Sequence, residues 1–175
     1  MTVLGAILAG GQSRRFGNDK ALALFAGRPL IEHVIAALQP MVDAVVVVGR
    51  GHPQLPSAAD RPAGSHGPLA GLAGALAYAQ GHGHDAVLTI GVDSIGISPD
   101  LHRRLAPAPA YVADQPIIGL WPVTALAALD QLWESDLSHS MLSFIGRIGA
   151  RAVTLDCSPA NINTAADLAR LEQMP

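Results

Sequence analysis

The sequence predicts an α/β fold, a single domain (residues 1–175) in which a mainly parallel sheet carries helices on both faces. Its length of 175 residues is the usual size of one domain. Half of the residues are hydrophobic and only 14% are charged, which is typical of a folded globule. Apolar runs of strand length alternate with segments of helical periodicity, and this order favours parallel strands joined by helices. In such a sheet, ligands bind beyond the carboxyl ends of the strands.

The first half of the chain has the order strand, helix, strand, helix, strand. Val3 to Leu8 is an apolar run followed by glycines, so it predicts a buried strand that enters a tight loop. Pro29 is well placed to open a helix through Leu38, where apolar residues recur at helical spacing and Pro40 follows. The remaining predicted elements here are a strand at Ala44 to Val48, a helix around Leu69 to Leu76 and a strand at Ala86 to Ile90.

The second half of the chain is less regular. Thr164 is a suitable cap for a closing helix, with Asp167 acting as a capping-box acid. The loop from Gly51 to Gly67 is long and rich in Pro and Gly, and loops of that length are often functional. Predicted strands are Tyr111 to Ala113, Ile117 to Trp121 and Ala152 to Leu155; predicted helices are Pro99 to Leu105, Val123 to Leu132, Met141 to Ile148 and Ala165 to Leu171.

Charge and composition exclude several classes of protein. A net charge of −3 argues against a basic surface that would bind nucleic acid, so any phosphate site has to be local. No apolar run approaches the roughly 20 residues that span a bilayer, which predicts no membrane association. The only cysteine, Cys157, can form no internal disulfide, and we expect a buried or half-buried thiol in a cytoplasmic protein.

The strongest motif is the loop from Leu8 to Lys20, which reads LAGGQSRRFGNDK. Its three glycines let backbone N–H groups approach phosphate oxygens, and its three cations, Arg14, Arg15 and Lys20, would neutralise a triphosphate. The loop fits neither the P-loop spacing nor the G-x-G-x-x-G pattern, which disfavours P-loop NTPases and dinucleotide-binding oxidoreductases. On the loop alone, an ordinary surface turn with basic residues is the alternative.

This loop resembles the pattern L-A-G-G-x-S-x-R-M-G-x-D-K of the molybdenum cofactor guanylyltransferases, which attach GMP to molybdopterin, except that Phe16 replaces Met. Asp60, followed seven residues later by GPLAG at 67–71, resembles the acidic residue that precedes the same motif in that family. Asp93 occupies the place of the family's metal-binding aspartate. Further similar segments, which extend the resemblance over nearly the whole chain, are Gly27 to Val34, Gln115-Pro116, Phe144 to Val153 and Asn161 to Thr164.

The resemblance implies a Rossmann-like nucleotidyltransferase fold and transfer of GMP from GTP to the phosphate of molybdopterin, with release of pyrophosphate. Residues 1–95 would bind nucleotide and metal, and residues 96–175 would bind the acceptor. Lys20, Arg14 and Asp93 would be catalytic, and Asp93 would hold Mg²⁺, although a carboxylate after a strand also suits a cap or turn. Molybdenum-insertion and acceptor enzymes are expected as transient partners. The nucleotide would contact Leu8, Ala9, Gly10, Gly11, Lys20, Asp60 and Asp93.

Three segments depart from the family pattern. Asp93 is followed by Ser94-Ile95 without the usual proline, which predicts a looser metal loop. Val48 stands where the family often has Asn, and Ser138 to Ser140 lack a basic residue expected before the helix at Met141. Two alternatives therefore stay open: a related transferase that uses CTP or another phosphate acceptor, and a non-catalytic nucleotide-binding homologue.

Overall fold

The computed structural model describes residues 1–10, 19–64, 67–136 and 138–172. Their strands are β1 (Val3–Leu8), β2 (Leu24–Phe25), β3 (Arg28–Pro29), β4 (Ala44–Val48), β5 (Ser57–Ala58), β6 (Ala86–Gly91), β7 (Ser94–Ile95), β8 (Ala110–Val112), β9 (Gln115–Pro122), β10 (Arg151–Val153) and β11 (Ala160–Asn161). Their α-helices are α1 (Leu30–Leu38), α2 (Pro68–Gly81), α3 (Leu101–Leu105), α4 (Ala125–Trp133), α5 (Met141–Ile148) and α6 (Ala165–Glu172).

Seven of the strands form one sheet in the order β10-β8-β9-β6-β1-β4-β5. β1 pairs in parallel with β4 and β6, β4 with β5, and β10 with β8. β9 is antiparallel to both of its neighbours, β6 and β8. The predicted mainly parallel sheet is confirmed, and its antiparallel strand brings the beginning of β9 to the edge where β1 and β6 end.

Helices cover both faces of the sheet, as predicted, because side chains along each central strand alternate between two cores. Val3 and Ile7 of β1 face one core, which also holds the buried side chains of α1 and α3. Leu4 and Ala6 face the other core, together with α2, α4 and α5. Both faces of β1 are therefore buried, and its functional contribution is confined to its carboxyl end.

Several local predictions were wrong or incomplete. The predicted helix through Leu38 is confirmed, but the 3₁₀ turn at Gln39–Met41 that follows it and includes Pro40 was not predicted. Cys157 is exposed, since it lies in the connection between β10 and β11. The short strands β2, β3, β5, β7 and β11 were not predicted, because two residues carry no periodicity. Within the described residues, none of the helices has the length and apolarity to span a bilayer.

Candidate active site

A cleft of about 280 Å³ opens at the sheet edge where β1 and β6 end. Val92 N donates to Leu8 O at 3.1 Å, which keeps the two strand ends side by side. Gly67 and Pro68, at the beginning of α2, form one wall, and Ile117 of β9 contributes to another. The cleft therefore lies where a sheet of parallel strands is expected to bind its ligand.

The Lys20 ammonium and the Asp93 carboxylate meet inside this cleft. Lys20 Nζ lies 2.7 Å from Asp93 Oδ2, and the two side chains are only 14% and 23% exposed. Lys20 Nζ also donates to Asn163 Oδ1 at 3.4 Å. Partial burial strengthens the attraction between the two charges relative to an exposed ion pair. The site thus holds a cation and an anion together within the cleft.

Asp19 fixes the turn that carries Lys20. Its Oδ1 accepts from Ala21 N at 3.2 Å and caps the 3₁₀ turn Lys20–Leu22. The same oxygen accepts from Arg50 Nη1 at 2.6 Å. The hydrogen bond from Arg50 holds the pKa of the Asp19 carboxyl below its ordinary value of 3.8, although partial burial opposes that shift. Asp19 is therefore an ionised acceptor at neutral pH.

Asp93 is held from the other side of the cleft by the chain around α6. Its backbone carbonyl accepts from Ile162 N at 3.0 Å, and β7 pairs with β11 directly after it. Asp167 Oδ2 accepts from Asn163 N at 3.0 Å and from Thr164 N at 2.9 Å, which confirms the predicted capping box. The cap of α6 therefore positions the backbone of Asn163 beside the ion pair.

Close backbone packing surrounds Gly10 at the end of β1. A Cβ atom on Gly10 would lie 2.8 Å from Asp60 Oδ2 and 2.9 Å from Gly49 Cα. Gly49 has a φ of +83°, and a Cβ there would lie 2.4 Å from Gly10 Cα. Both positions require glycine for steric reasons, and Gly49 also requires it for conformation. The half-buried Asp60 carboxylate is thereby brought against the backbone of the predicted phosphate loop.

A second pocket of about 150 Å³ adjoins the cleft and shares Gly91, Asp93 and Ile117 with it. Its other walls include Gln115 and Asn161. Gln115 Nε2 donates to Pro159 O at 2.5 Å and so ties the beginning of β9 to the segment before β11. Two neighbouring compartments with Asp93 between them suit a reaction between two substrates.

The structure brings most of the predicted site residues together. Leu8, Ala9, Gly10, Lys20 and Asp93 line the cleft, and Asp60 lies beside Gly10. Gly11, Arg14 and Arg15 lie outside the described residues.

Sequence reasoning assigned no role to Arg50, Asp19 or Gly49. Arg50 could have been found, because it follows β4, the strand beside β1, and a cation at the carboxyl end of such a strand lies near the ligand site.

The three departures from the family pattern have structural explanations. Val48 is fully buried in the core on the α2 side, so it presents no side chain to the cleft. Ser94 is 3% exposed and Ile95 pairs with Ala160, so the loop after Asp93 is held by strand pairing rather than loosened by the missing proline. Ser140 caps α5 by accepting from Ser143 N at 3.2 Å.

Comparison with known proteins gives consistent matches. The family described as "MobA-like NTP transferase domain" matches residues 5–157. A molybdenum cofactor guanylyltransferase of Rhodobacter capsulatus is 40% identical, over 98% of this chain and 96% of the relative. One from Acidiphilium cryptum (strain JF-5) is 36% identical, over 93% of this chain and 90% of the relative.

Solved structures share the fold. The molybdopterin-guanine dinucleotide biosynthesis protein A of Archaeoglobus fulgidus superposes with a TM-score of 0.74 at 23% identity, over 97% of each chain. CMP:2-keto-3-deoxy-manno-octonic acid synthetase, solved in complex with CTP, also gives a TM-score of 0.74, at 16% identity over 98% of this chain and 97% of that one. At these identities the likeness concerns the fold.

Proposed function

Because this chain belongs to the family of MobA-like NTP transferases, we propose that it transfers GMP from GTP to the terminal phosphate of molybdopterin. Its relatives at 31–40% identity over nearly the full chain carry the name molybdenum cofactor guanylyltransferase, and the chain is accordingly a nucleotidyltransferase. The products are the guanine dinucleotide form of the cofactor and pyrophosphate.

The observation that carries the proposal is the Lys20–Asp93 pair inside the cleft. In the reaction, an oxygen of the acceptor phosphate bonds to the α-phosphorus while the bond from that phosphorus to the bridging oxygen breaks. The electron pair of that bond leaves with pyrophosphate. A phosphate nucleophile is already ionised at neutral pH, so the protein needs to supply position and charge rather than a general base.

Two features of the cleft favour phosphate. The Lys20 ammonium is a compact charge on a flexible stem, which suits it to follow negative charge as pyrophosphate leaves. The N-terminus of α2 opens at Gly67 and Pro68 on the cleft wall, and the first N–H groups of a 14-residue helix favour an anion there. Nucleotide binding requires Lys20 and Asp93 to exchange their mutual contact for contacts to the substrate.

Mg²⁺ is the cofactor that the donor set suits. Asp93 offers one carboxylate in the cleft, and within the described ranges no group of three His, Cys, Asp or Glu side chains could hold a metal ion by itself. Mg²⁺ is commonly bound by one or two carboxylates with substrate phosphates and water supplying the other oxygens, so the carboxylate of Asp93 fits. When bound, Mg²⁺ would neutralise charge on the phosphates. Asp93 would hold it, once Lys20 has released the carboxylate.

Asp60 and Gly10 suit the nucleotide side of the cleft. Because Gly10 has no Cβ, Asp60 and Gly49 can pack directly against its backbone at the end of β1. Asp60 presents an acceptor beside it, and guanine carries N–H donors on the edge by which it pairs, so a carboxylate there would favour guanine. The adjoining 150 Å³ pocket is then the place for the acceptor phosphate, because it meets the cleft at Asp93.

We place the reaction in the cytoplasm, because the thiol of the single cysteine, Cys157, is exposed and would be open to oxidation in an oxidising compartment. Enzymes that insert molybdenum or receive the finished cofactor are the protein partners that this product would need.

The experiment that tests the proposal is pyrophosphate release with Mg²⁺ and molybdopterin, comparing GTP, CTP, ATP and UTP. Lys20→Ala and Asp93→Ala are the site variants, and Arg103→Ala, at an 83% exposed side chain on α3, is the control. We expect release with GTP alone, reduced roughly 10²-fold or more in both site variants and unchanged in the control. Release with CTP alone would overturn the choice of base, and GTP binding without release under any condition would indicate a binding protein.

A further inference from the structure

We propose that Arg50 is a positioning residue for nucleotidyl transfer, which acts through Asp19 to hold the turn that presents Lys20. The inference rests on the proposed function, because it assigns Arg50 a part in the reaction that uses Lys20.

The contact between Arg50 and Asp19 is short and shared with the backbone of the turn. Arg50 Nη1 lies 2.6 Å from Asp19 Oδ1, and that same oxygen accepts from Ala21 N at 3.2 Å. Loss of the guanidinium would leave the Asp19 side chain free to rotate away from Ala21 N. Arg50 therefore stabilises the cap of the turn, and the cap sets the direction of Lys20.

Arg50 is itself held at a fixed place by the chain that precedes it. Gly49 packs directly on Gly10, and Gly49 N donates to Ala58 O at 2.9 Å. The Arg50 side chain is 25% exposed, whereas Arg103, which pairs with Asp100 on α3, is 83% exposed. The Asp19 side chain is 45% exposed, but the Arg50 side chain starts from an anchored backbone and loses less freedom on pairing than that of an ordinary surface arginine, so more of the attraction is available for positioning.

The Arg50–Asp19 contact matters most once the nucleotide is bound. In the free protein, the Lys20 turn is tied to β6 through Lys20 and Asp93. A bound triphosphate, with the metal that Asp93 would hold, would draw both of these groups to the substrate and so remove that tie. Arg50 links the same turn to the chain after β4 through Asp19, independently of the contact between Lys20 and Asp93. We therefore expect its removal to lower kcat more than it weakens GTP binding.

The test is Arg50→Met, with Arg50→Lys as the conservative variant and Arg104→Met as the matched control. Arg104 Nη1 pairs with Asp156 Oδ2 at 2.7 Å, a similar distance, and Arg104 does not line the cleft. We expect Arg50→Met to lower kcat about tenfold with little change in the dissociation constant of GTP. Arg50→Lys should recover part of the loss, because lysine keeps the charge but not the planar donor geometry. Arg104→Met should leave kcat unchanged.

A double variant separates positioning from direct contact with substrate. If Arg50 acts through Asp19, Arg50→Met should cause little further loss in a chain that already carries Asp19→Asn. An equal further loss in that background would show that Arg50 contacts the nucleotide itself and would overturn the proposal. A loss of kcat that parallels a fall in Tm, and disappears at lower temperature, would show a merely structural role and would overturn it as well.

Amide hydrogen exchange gives a readout that does not depend on catalysis. Arg50→Met should speed exchange of the Ala21 N–H, which donates a hydrogen bond to the Asp19 carboxylate. Exchange in α2 and β6 should stay as it is in the natural chain. Unchanged exchange at Ala21 would contradict the proposal whatever the activity. If the natural chain releases no pyrophosphate, the proposed function fails, and exchange at Ala21 still decides whether Arg50 holds the turn.

Discussion

Lys20 Nζ and Asp93 Oδ2 lie 2.7 Å apart although 73 positions of sequence separate the two residues. One follows the loop after β1, and the other follows β6, which is paired with β1 in parallel. The fold therefore assembles the two charges before any substrate arrives. Because both groups already lie in the cleft, substrate binding has only to exchange their mutual contact for contacts to the substrate and need not bring the two groups together.

Replacement of Lys20 should affect the chemical step more than substrate binding. We expect Lys20→Ala to lower kcat by roughly 10²-fold or more, because charge on departing pyrophosphate loses its partner. Lys20→Arg should retain more activity than Lys20→Ala, since the charge remains. Single-turnover rates with saturating GTP and molybdopterin measure this step. An increase in KM with unchanged kcat would contradict the role assigned to Lys20.

Removal of Mg²⁺ should abolish transfer, and Asp93→Asn should raise the Mg²⁺ concentration needed for half-maximal rate. Asparagine keeps one oxygen ligand but loses the negative charge, so the affinity for a hard cation falls. The measurement is a Mg²⁺ titration of pyrophosphate release after treatment with a chelator. The same half-maximal concentration in both chains would show that Asp93 is not a ligand.

A methyl group at residue 10 should disturb the nucleotide side of the cleft. The Cβ of Gly10→Ala would lie 2.9 Å from Gly49 Cα, and backbone atoms cannot easily move aside. We expect unfolding free energy to fall by about 1–3 kcal/mol and the dissociation constant of GTP to rise about tenfold. Gly81→Ala, at a helical position with open space, is the control and should stabilise the protein by up to about 1 kcal/mol. Tight GTP binding by Gly10→Ala would contradict the close packing.

Acid should weaken the cap that holds Asn163. The Thr164 hydroxyl and the Asn163 backbone N–H lower the pKa of the Asp167 carboxyl below its ordinary value of 3.8. A carboxyl group whose pKa is lower in the folded than in the unfolded state stabilises the folded state at pH values above its ordinary pKa of 3.8. This stabilisation is lost as the pH falls through the lowered pKa of the folded state. Asp167→Ala should therefore reduce the amide protection of Asn163 and Thr164 at neutral pH, with the difference from the natural chain disappearing in acid. A pH-independent difference would contradict this.

The buried Thr89 hydroxyl should contribute to stability through two partners. It donates to Ile117 O at 2.6 Å and accepts from Trp121 Nε1 at 2.8 Å. Thr89→Val keeps the shape but leaves the indole N–H without this acceptor, which should cost about 1–3 kcal/mol of unfolding free energy. Thr89→Ser keeps the hydroxyl and should cost less. Equal losses in the two variants, measured by denaturant unfolding, would show that packing rather than hydrogen bonding dominates.

Sequence reasoning predicted the strands and helices with clear periodicity and, through one glycine-rich motif, the family and the cleft residues. Lys20 was identified as a cation of the glycine-rich loop, and Asp93 was identified through its resemblance to the metal-binding aspartate of the family. Arg50 was overlooked although it follows a predicted strand, because its contact with Asp19, 31 positions away in the sequence, is not visible in the local pattern. The β7–β11 pairing was missed for the same reason, since two-residue strands exist only through their tertiary contacts.

The antiparallel course of β9 has a consequence for engineering. Because β9 begins at the active edge, Gln115 and Ile117 reach the site from the start of a strand, whereas Leu8 and Gly91 reach it from strand ends. The turn between β8 and β9 can thus be rebuilt without altering a crossover between parallel strands. We expect variants at Asp114, Gln115 and Pro116, which line the adjoining pocket, to change the choice of acceptor with little effect on GTP binding.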